Sequence, residues 1–90
     1  MISLQQLKNL GAVSIRWLNA VNIYTSDDLK TLGPIEAYCW VRLAGYPATF
    51  NLLYALQGAL TDTPWSQIDV ATKETLKAEL KAREKATDHQ

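Results

Sequence analysis

Ninety residues, 48% of them apolar, suffice for one domain with a small core. Nine basic side chains balance nine acidic ones, which excludes a protein whose affinity comes chiefly from neutralising many phosphates. The single cysteine, Cys39, excludes an internal disulfide framework and suits a reducing cytoplasm.

The N-terminus lacks the basic-then-apolar order of an export signal, because Met1-Ile2-Ser3-Leu4-Gln5-Gln6 is already amphipathic. Ser3 caps a predicted first helix that runs to about Leu10, with Leu4, Leu7 and Leu10 on one face. Gly11 is placed to end that helix in a left-handed conformation. A second helix follows at once, with Ser14 capping it or sitting in its first turn and Ile15, Leu18 and Val21 facing inward. Asn22 closes it, since asparagine tolerates positive φ. Thr25 or Ser26 caps a third helix, and Asp27 and Asp28 suit its positive end.

Gly33 stops helix three, and Pro34 opens helix four, which is predicted to run to about Ala44. Gly45-Tyr46-Pro47 is the next break. Helix five, about Ala48 to Leu60, carries Phe50, Leu52, Leu53, Leu56 and Leu60; it is apolar on more than one side and reads as central. After the turn at Thr61-Asp62-Thr63-Pro64, Trp65 to Ile68 form a short helical turn. The last helix, about Val70 to Lys85, has a narrow Leu76 and Leu80 stripe under a charged exterior, with Glu79 and Arg83 at i,i+4. That seam either packs on this chain or pairs with a second copy. The domain is predicted to span residues 1–86, with a flexible tail at 87–90.

The architecture expected is all-α, five to six short helices around a helix-hairpin-helix core. Leu7-Lys8-Asn9-Leu10-Gly11-Ala12-Val13 recurs 22 residues later as Leu29-Lys30-Thr31-Leu32-Gly33-Pro34-Ile35. The echo reflects either two solutions to one tight helix–helix corner or an old duplication.

Leu7, Leu10, Gly11, Leu18, Ile23, Thr25, Asp28 and Leu29 resemble the helix-hairpin-helix pattern of many DNA repair and replication proteins. A hairpin of that kind grips a phosphate with the free N–H groups that open its second helix. The candidates for such contact are Lys8, Gly11, Ala12, Val13, Ser14 and Arg16. Two features depart from the pattern: Asn9 stands where glycine is usual, and Ala12-Val13 where a basic residue is common. The same geometry also serves as scaffold, and both uses stay open here.

Leu32-Gly33-Pro34-Ile35-Glu36-Ala37-Tyr38, Ala44-Gly45-Tyr46-Pro47, Asn51 through Leu60 and Trp65 together resemble the C-terminal domain of the TfoX/Sxy competence regulators. The likeness extends over about residues 3 to 82, and Leu52-Leu53-Tyr54-Ala55-Leu56-Gln57-Gly58-Ala59-Leu60 is its most specific part. The resemblance implies a bacterial, cytoplasmic regulator of DNA-uptake genes, working with the cyclic-AMP receptor protein. It implies a protein partner in the transcription machinery, or a companion N-terminal domain, which usually precedes this domain. It supplies no agreed set of binding residues.

Catalysis finds little support. His89, the single histidine, stands next to last, and a general base must be held within hydrogen-bond reach of its proton. Cys39 reads as a small buried residue, and neither metal-ligand spacing nor a glycine-rich phosphate loop is present. No cofactor, small-molecule substrate or membrane span is expected. The aromatics offer more. If Tyr38 faces the core, Trp40 lies about 200° away on the same helix. Trp40, with Arg42 and Tyr46, is then a candidate partner surface, unless it packs under the last helix; self-association as a homodimer is a further use of such a surface. The leading expectation is therefore a non-enzymatic regulatory module working by protein contact, and the alternative is weak, nonspecific contact with the DNA backbone.

Overall fold

Why the helices start and stop where they do is visible in their ends. The computed structural model describes residues 4–7 and 9–88. The expected Ser3 cap, Lys8, and His89 and Gln90 of the tail lie outside the described residues. Those described form four α-helices and two 3-10 turns, without strands: α1 Ala12–Ala20, α2 Ser26–Leu43, α3 Phe50–Thr61 and α4 Val70–Asp88, with the turns at Leu4–Gln6 and Trp65–Gln67. Five to six helices were expected, and the difference lies in two places.

The first is the N-terminal segment. Among its described residues only Leu4–Gln6 is helical, as a single 3-10 turn. A helix this short is marginal in water, and tertiary contacts decide its conformation. Leu4 and Leu10 are buried and hold the segment down. Gly11 was expected to be left-handed, but its φ of −86° and ψ of 178° are extended, and it is the N-cap of α1. The left-handed residue is Asn9, at φ 72°. Its amide reaches across the fold and donates to the Thr63 carbonyl at 2.9 Å. A Cβ at Gly58 of α3 would collide with that amide and with the Thr63 carbonyl, so α3 needs glycine there. Ser14 sits inside α1 and does not cap it.

The second is Gly33. At φ 84° and ψ 164° its backbone is not helical, so α2 is two helical halves that meet at a sharp kink where the break between helices three and four is expected. That region of φ,ψ space is open essentially to glycine alone. Pro34 directly after it starts the second half of α2 at a position where its missing N–H removes nothing.

Elsewhere the ends follow from local chemistry. Asn22 takes φ 68° as α1 gives way to the turn before α2. Thr25 caps α2: its hydroxyl accepts from the Asp28 N–H at 3.1 Å, and Asp28 Oδ2 accepts from the Thr25 N–H at 3.2 Å. The Asp28 carboxylate also accepts from the Tyr24 N–H, and these bonds hold its pKa below the usual value. Asp69 opens α4 by accepting from the Thr72 N–H at 2.7 Å.

The core gathers around α3, which buries Leu52, Leu53, Tyr54, Ala55, Leu56, Gly58 and Ala59. Leu18 of α1, Ile23, and Leu29, Ala37, Tyr38 and Val41 of α2 close over it. Leu76 and Leu80 of α4 are each 4% exposed, so the seam that could have paired with a second copy is filled by this chain. Burial of each leucine stabilises the docked helix by roughly 1.5–3 kcal/mol.

Candidate functional site

Two regions held the sequence-predicted site residues. The first is the start of α1. Gly11, Ala12 and Arg16 are exposed, Val13 is 55% exposed, and Ser14 is half-buried. No side chain caps this end, and the helix ladder begins with the Ile15 N–H donating to the Gly11 carbonyl. The amides of the first turn therefore face solvent. Arg16 lies beside a shallow depression shared with Ala12, Ile15 and Asn19.

The second set, Trp40, Arg42 and Tyr46, has three different surroundings. Tyr46 stacks on Trp17 of α1, with ring centroids 5.7 Å apart and planes at 21°. Trp40 is 38% exposed and lies one turn after Glu36 on α2, near enough to favour its carboxylate form. Glu36 is also the partner of Arg83 on α4, whose Nε and Nη2 donate to Oε1 and Oε2, each at 3.1 Å. This bidentate pair holds the Glu36 carboxyl below the usual range. Trp40 thus lies beside the last helix and still shows part of its ring to water. Arg42 faces another way: its Nη1 donates to Tyr38 Oη at 3.2 Å.

Around Tyr38 the structure assembles a group that the sequence reading missed. Tyr38 of α2 and Phe50 of α3 have centroids 6.5 Å apart, and Phe50 and Tyr54 6.3 Å. Each of the three rings carries a cation: Arg42 at Tyr38, 5.8 Å from its centroid; Lys77 over Phe50 at 5.8 Å; and Lys73 over Tyr54 at 5.2 Å. The spacing explains the match. Phe50 and Tyr54 are one helical turn apart, as are Lys73 and Lys77, and α4 runs antiparallel to α3, so the pairs meet in register. Tyr38 and Tyr54 are buried, at 1% and 7%, whereas Phe50 is 45% exposed. Phe50 belongs to the apolar set expected of the central helix. Its place in the first turn of α3 leaves it at the rim, where only one side is covered.

Cys39 is buried, and burial raises its thiol pKa, so it remains a neutral packing residue. Among the described residues no group of three His, Cys, Asp or Glu side chains could hold a metal. No described helix is long and apolar enough to cross a membrane.

Comparison with known proteins places this architecture. No curated protein matches the chain. Two crystal structures do, both from Listeria monocytogenes. One, an uncharacterized protein in a triclinic form, is 32% identical over 91% of this chain and 93% of its own, with a TM-score of 0.81. The other, a protein of unknown function in a tetragonal form, is 33% identical over 83% of this chain and 93% of its own, with a TM-score of 0.78. The family model of the TfoX C-terminal domain matches residues 1–80. The chain therefore belongs to the TfoX C-terminal domain family.

Proposed function

We propose that this chain is a non-enzymatic regulatory module that acts in transcriptional control of DNA-uptake genes, in the cytoplasm, through contact with another protein. The family is a regulatory type of domain and not a known enzyme family, which supports this reading. The observation that carries the reading is the Tyr38–Phe50–Tyr54 row, with Phe50 left 45% exposed at its centre. Aromatic side chains at a rim, flanked by cations, are the anchors that protein interfaces use. The partner is a component of the transcription machinery or a companion N-terminal domain. A second copy of the chain is a less favoured occupant, since its Leu76–Leu80 seam is already filled.

The test is genetic. Transcripts of DNA-uptake genes are measured in the parent bacterium with the chain deleted, then restored as wild type or as Phe50→Asp. Wild type should restore the transcripts and Phe50→Asp should not, with the variant's melting temperature showing that it folds. Transcripts indifferent to the deletion would end the regulatory reading.

A second reading, a helix-hairpin-helix contact with the DNA backbone, is favoured by one observation: the uncapped start of α1, with Arg16 exposed near it. Gly11, Ala12, Val13 and Ser14 would meet the phosphates, with Lys8 and Arg16 beside them. Two or three such contacts release few counterions, so binding would be weak and sensitive to salt. Anisotropy of a labelled duplex at low and moderate salt, with Arg16→Ala as control, decides it. Salt-sensitive binding that Arg16→Ala removes would support the contact; no binding at low salt would leave α1 as scaffold.

A further inference from the structure

We infer that the strip formed by Phe50, Lys73 and Lys77, bordered by Arg42, receives an acidic segment of a partner protein that carries a leucine or aromatic anchor. The inference rests on the protein-contact reading above and names the chemistry of the partner.

The charges of the chain cancel in sum but are not mixed evenly over its surface. On one side of α4, Arg83 is neutralised by Glu36 in a bidentate pair. On the other, Lys73 and Lys77 lie over aromatic rings and form no ion pair among the described residues. A ring attracts an ammonium through its quadrupole but brings no negative charge, so the positive charge remains on display. Arg42 is held by the Tyr38 hydroxyl, and Glu84 acts on it through space, so the strip is most positive at its lysine end. Phe50, the only phenylalanine, lies under Lys77 with nearly half its surface open. An apolar anchor with positive groups beside it fits a peptide of the opposite pattern, apolar at one position and acidic at the next.

Nucleic acid fits less well. Binding by stacking needs several open ring faces in a row. Here Tyr38 and Tyr54 are buried and Phe50 alone is open. The protein partner is therefore the one the strip favours.

The test uses the whole chain and fluorescein-labelled probes. One probe is a short synthetic peptide of Asp, Glu, Leu and Phe. A second has Asn and Gln in place of the acids, and a third is a single-stranded oligonucleotide. The acidic peptide should bind, and binding should weaken as salt rises. Lys73→Glu with Lys77→Glu should weaken it by about tenfold or more, as expected when like charges face each other across an interface. Lys30→Glu with Lys85→Glu makes the same change in net charge away from the strip and should leave binding within about twofold, as for residues distant from a contact. Thermal melts confirm that each variant folds. Equal binding of the amide peptide, equal loss in both charge-reversal pairs, or lysine-dependent binding of the oligonucleotide in place of the peptide would overturn the inference. If Phe50→Asp abolishes regulation while the acidic peptide does not bind, the protein-contact reading stands and the acidic partner falls. If the peptide binds through the lysines and gene deletion leaves transcripts unchanged, the surface stands and the regulatory role falls.

Discussion

On one side of α4 a cation meets a carboxylate, and on the other side cations meet rings. Arg83 and Glu36 satisfy each other with two hydrogen bonds. That side is self-contained: its charges cancel, and its role in holding α4 to α2 accounts for its residues. Lys73 and Lys77 also help hold their helix, lying over Tyr54 and Phe50, yet their charge is not cancelled. A structural contact can therefore leave a surface either closed or receptive, depending on whether the cation's partner carries charge. The two sides share one seam, Leu76 and Leu80, and one neighbour, the second half of α2.

That shared support is the place to break the comparison most completely. Leu80→Ala removes a buried side chain from between the two sides and should destabilise the chain by about 2–4 kcal/mol. Urea unfolding followed by circular dichroism measures it. A loss below about 1 kcal/mol would mean that α4 does not depend on its seam.

Gly33 comes next. The second half of α2 brings Glu36 to one side and Tyr38 and Arg42 to the other, so the kink sets both. A Cβ at Gly33 would meet nothing within 4 Å, which leaves backbone conformation as the sole source of strain. Gly33→Val should cost about 1–3 kcal/mol and lower the melting temperature. An unchanged melting temperature would show that the kink can relax.

The smallest effect separates the two sides. Folding lowers the Glu36 carboxyl below its ordinary 4.5. The unfolded chain thus takes up this proton first as pH falls. The pair's stabilisation is complete above that ordinary value and fades as pH drops through the lower folded value. With Glu36 39% exposed in the pair, solvent screening keeps its contribution within about 1 kcal/mol. Arg83→Gln should flatten the loss of stability below that pH, while Asp28 and Asp69, also lowered, keep part of the slope. Lys77→Met on the other side should leave the slope unchanged. A pH profile insensitive to Arg83→Gln would remove the pair from the account of α4.

Much of the fold was legible because its signals are local. The cap at Thr25 (one of two candidates, with Ser26), the positive φ of Asn22 and the break at Gly33-Pro34 each depend on residues within a few positions. The echo of Leu7–Val13 in Leu29–Ile35 shows where local reading stops. Both copies contain Leu-Gly, yet the left-handed residue is Asn9 in the first and Gly33 in the second. What decides the first is Thr63 and the notch at Gly58, far away in sequence. The aromatic row failed to show for the same reason. The i,i+4 spacings of Phe50 with Tyr54 and of Lys73 with Lys77 can be read from the chain, but not that α3 and α4 align them. Helix geometry leaves Trp40 either exposed opposite Tyr38 or packed under the last helix; it is 38% exposed, and the Glu36–Arg83 pair between α2 and α4 is a contact that spacing along the chain does not reveal.

The most direct measurement is a map of amide shifts in the ¹⁵N-labelled chain as the acidic peptide is added. Docking on the open side of α4 predicts shifts centred on Phe50, Tyr54, Lys73 and Lys77, with little change at Trp40 and Arg83. Shifts centred on Ala12 to Arg16, or spread evenly over both sides of α4, would contradict it.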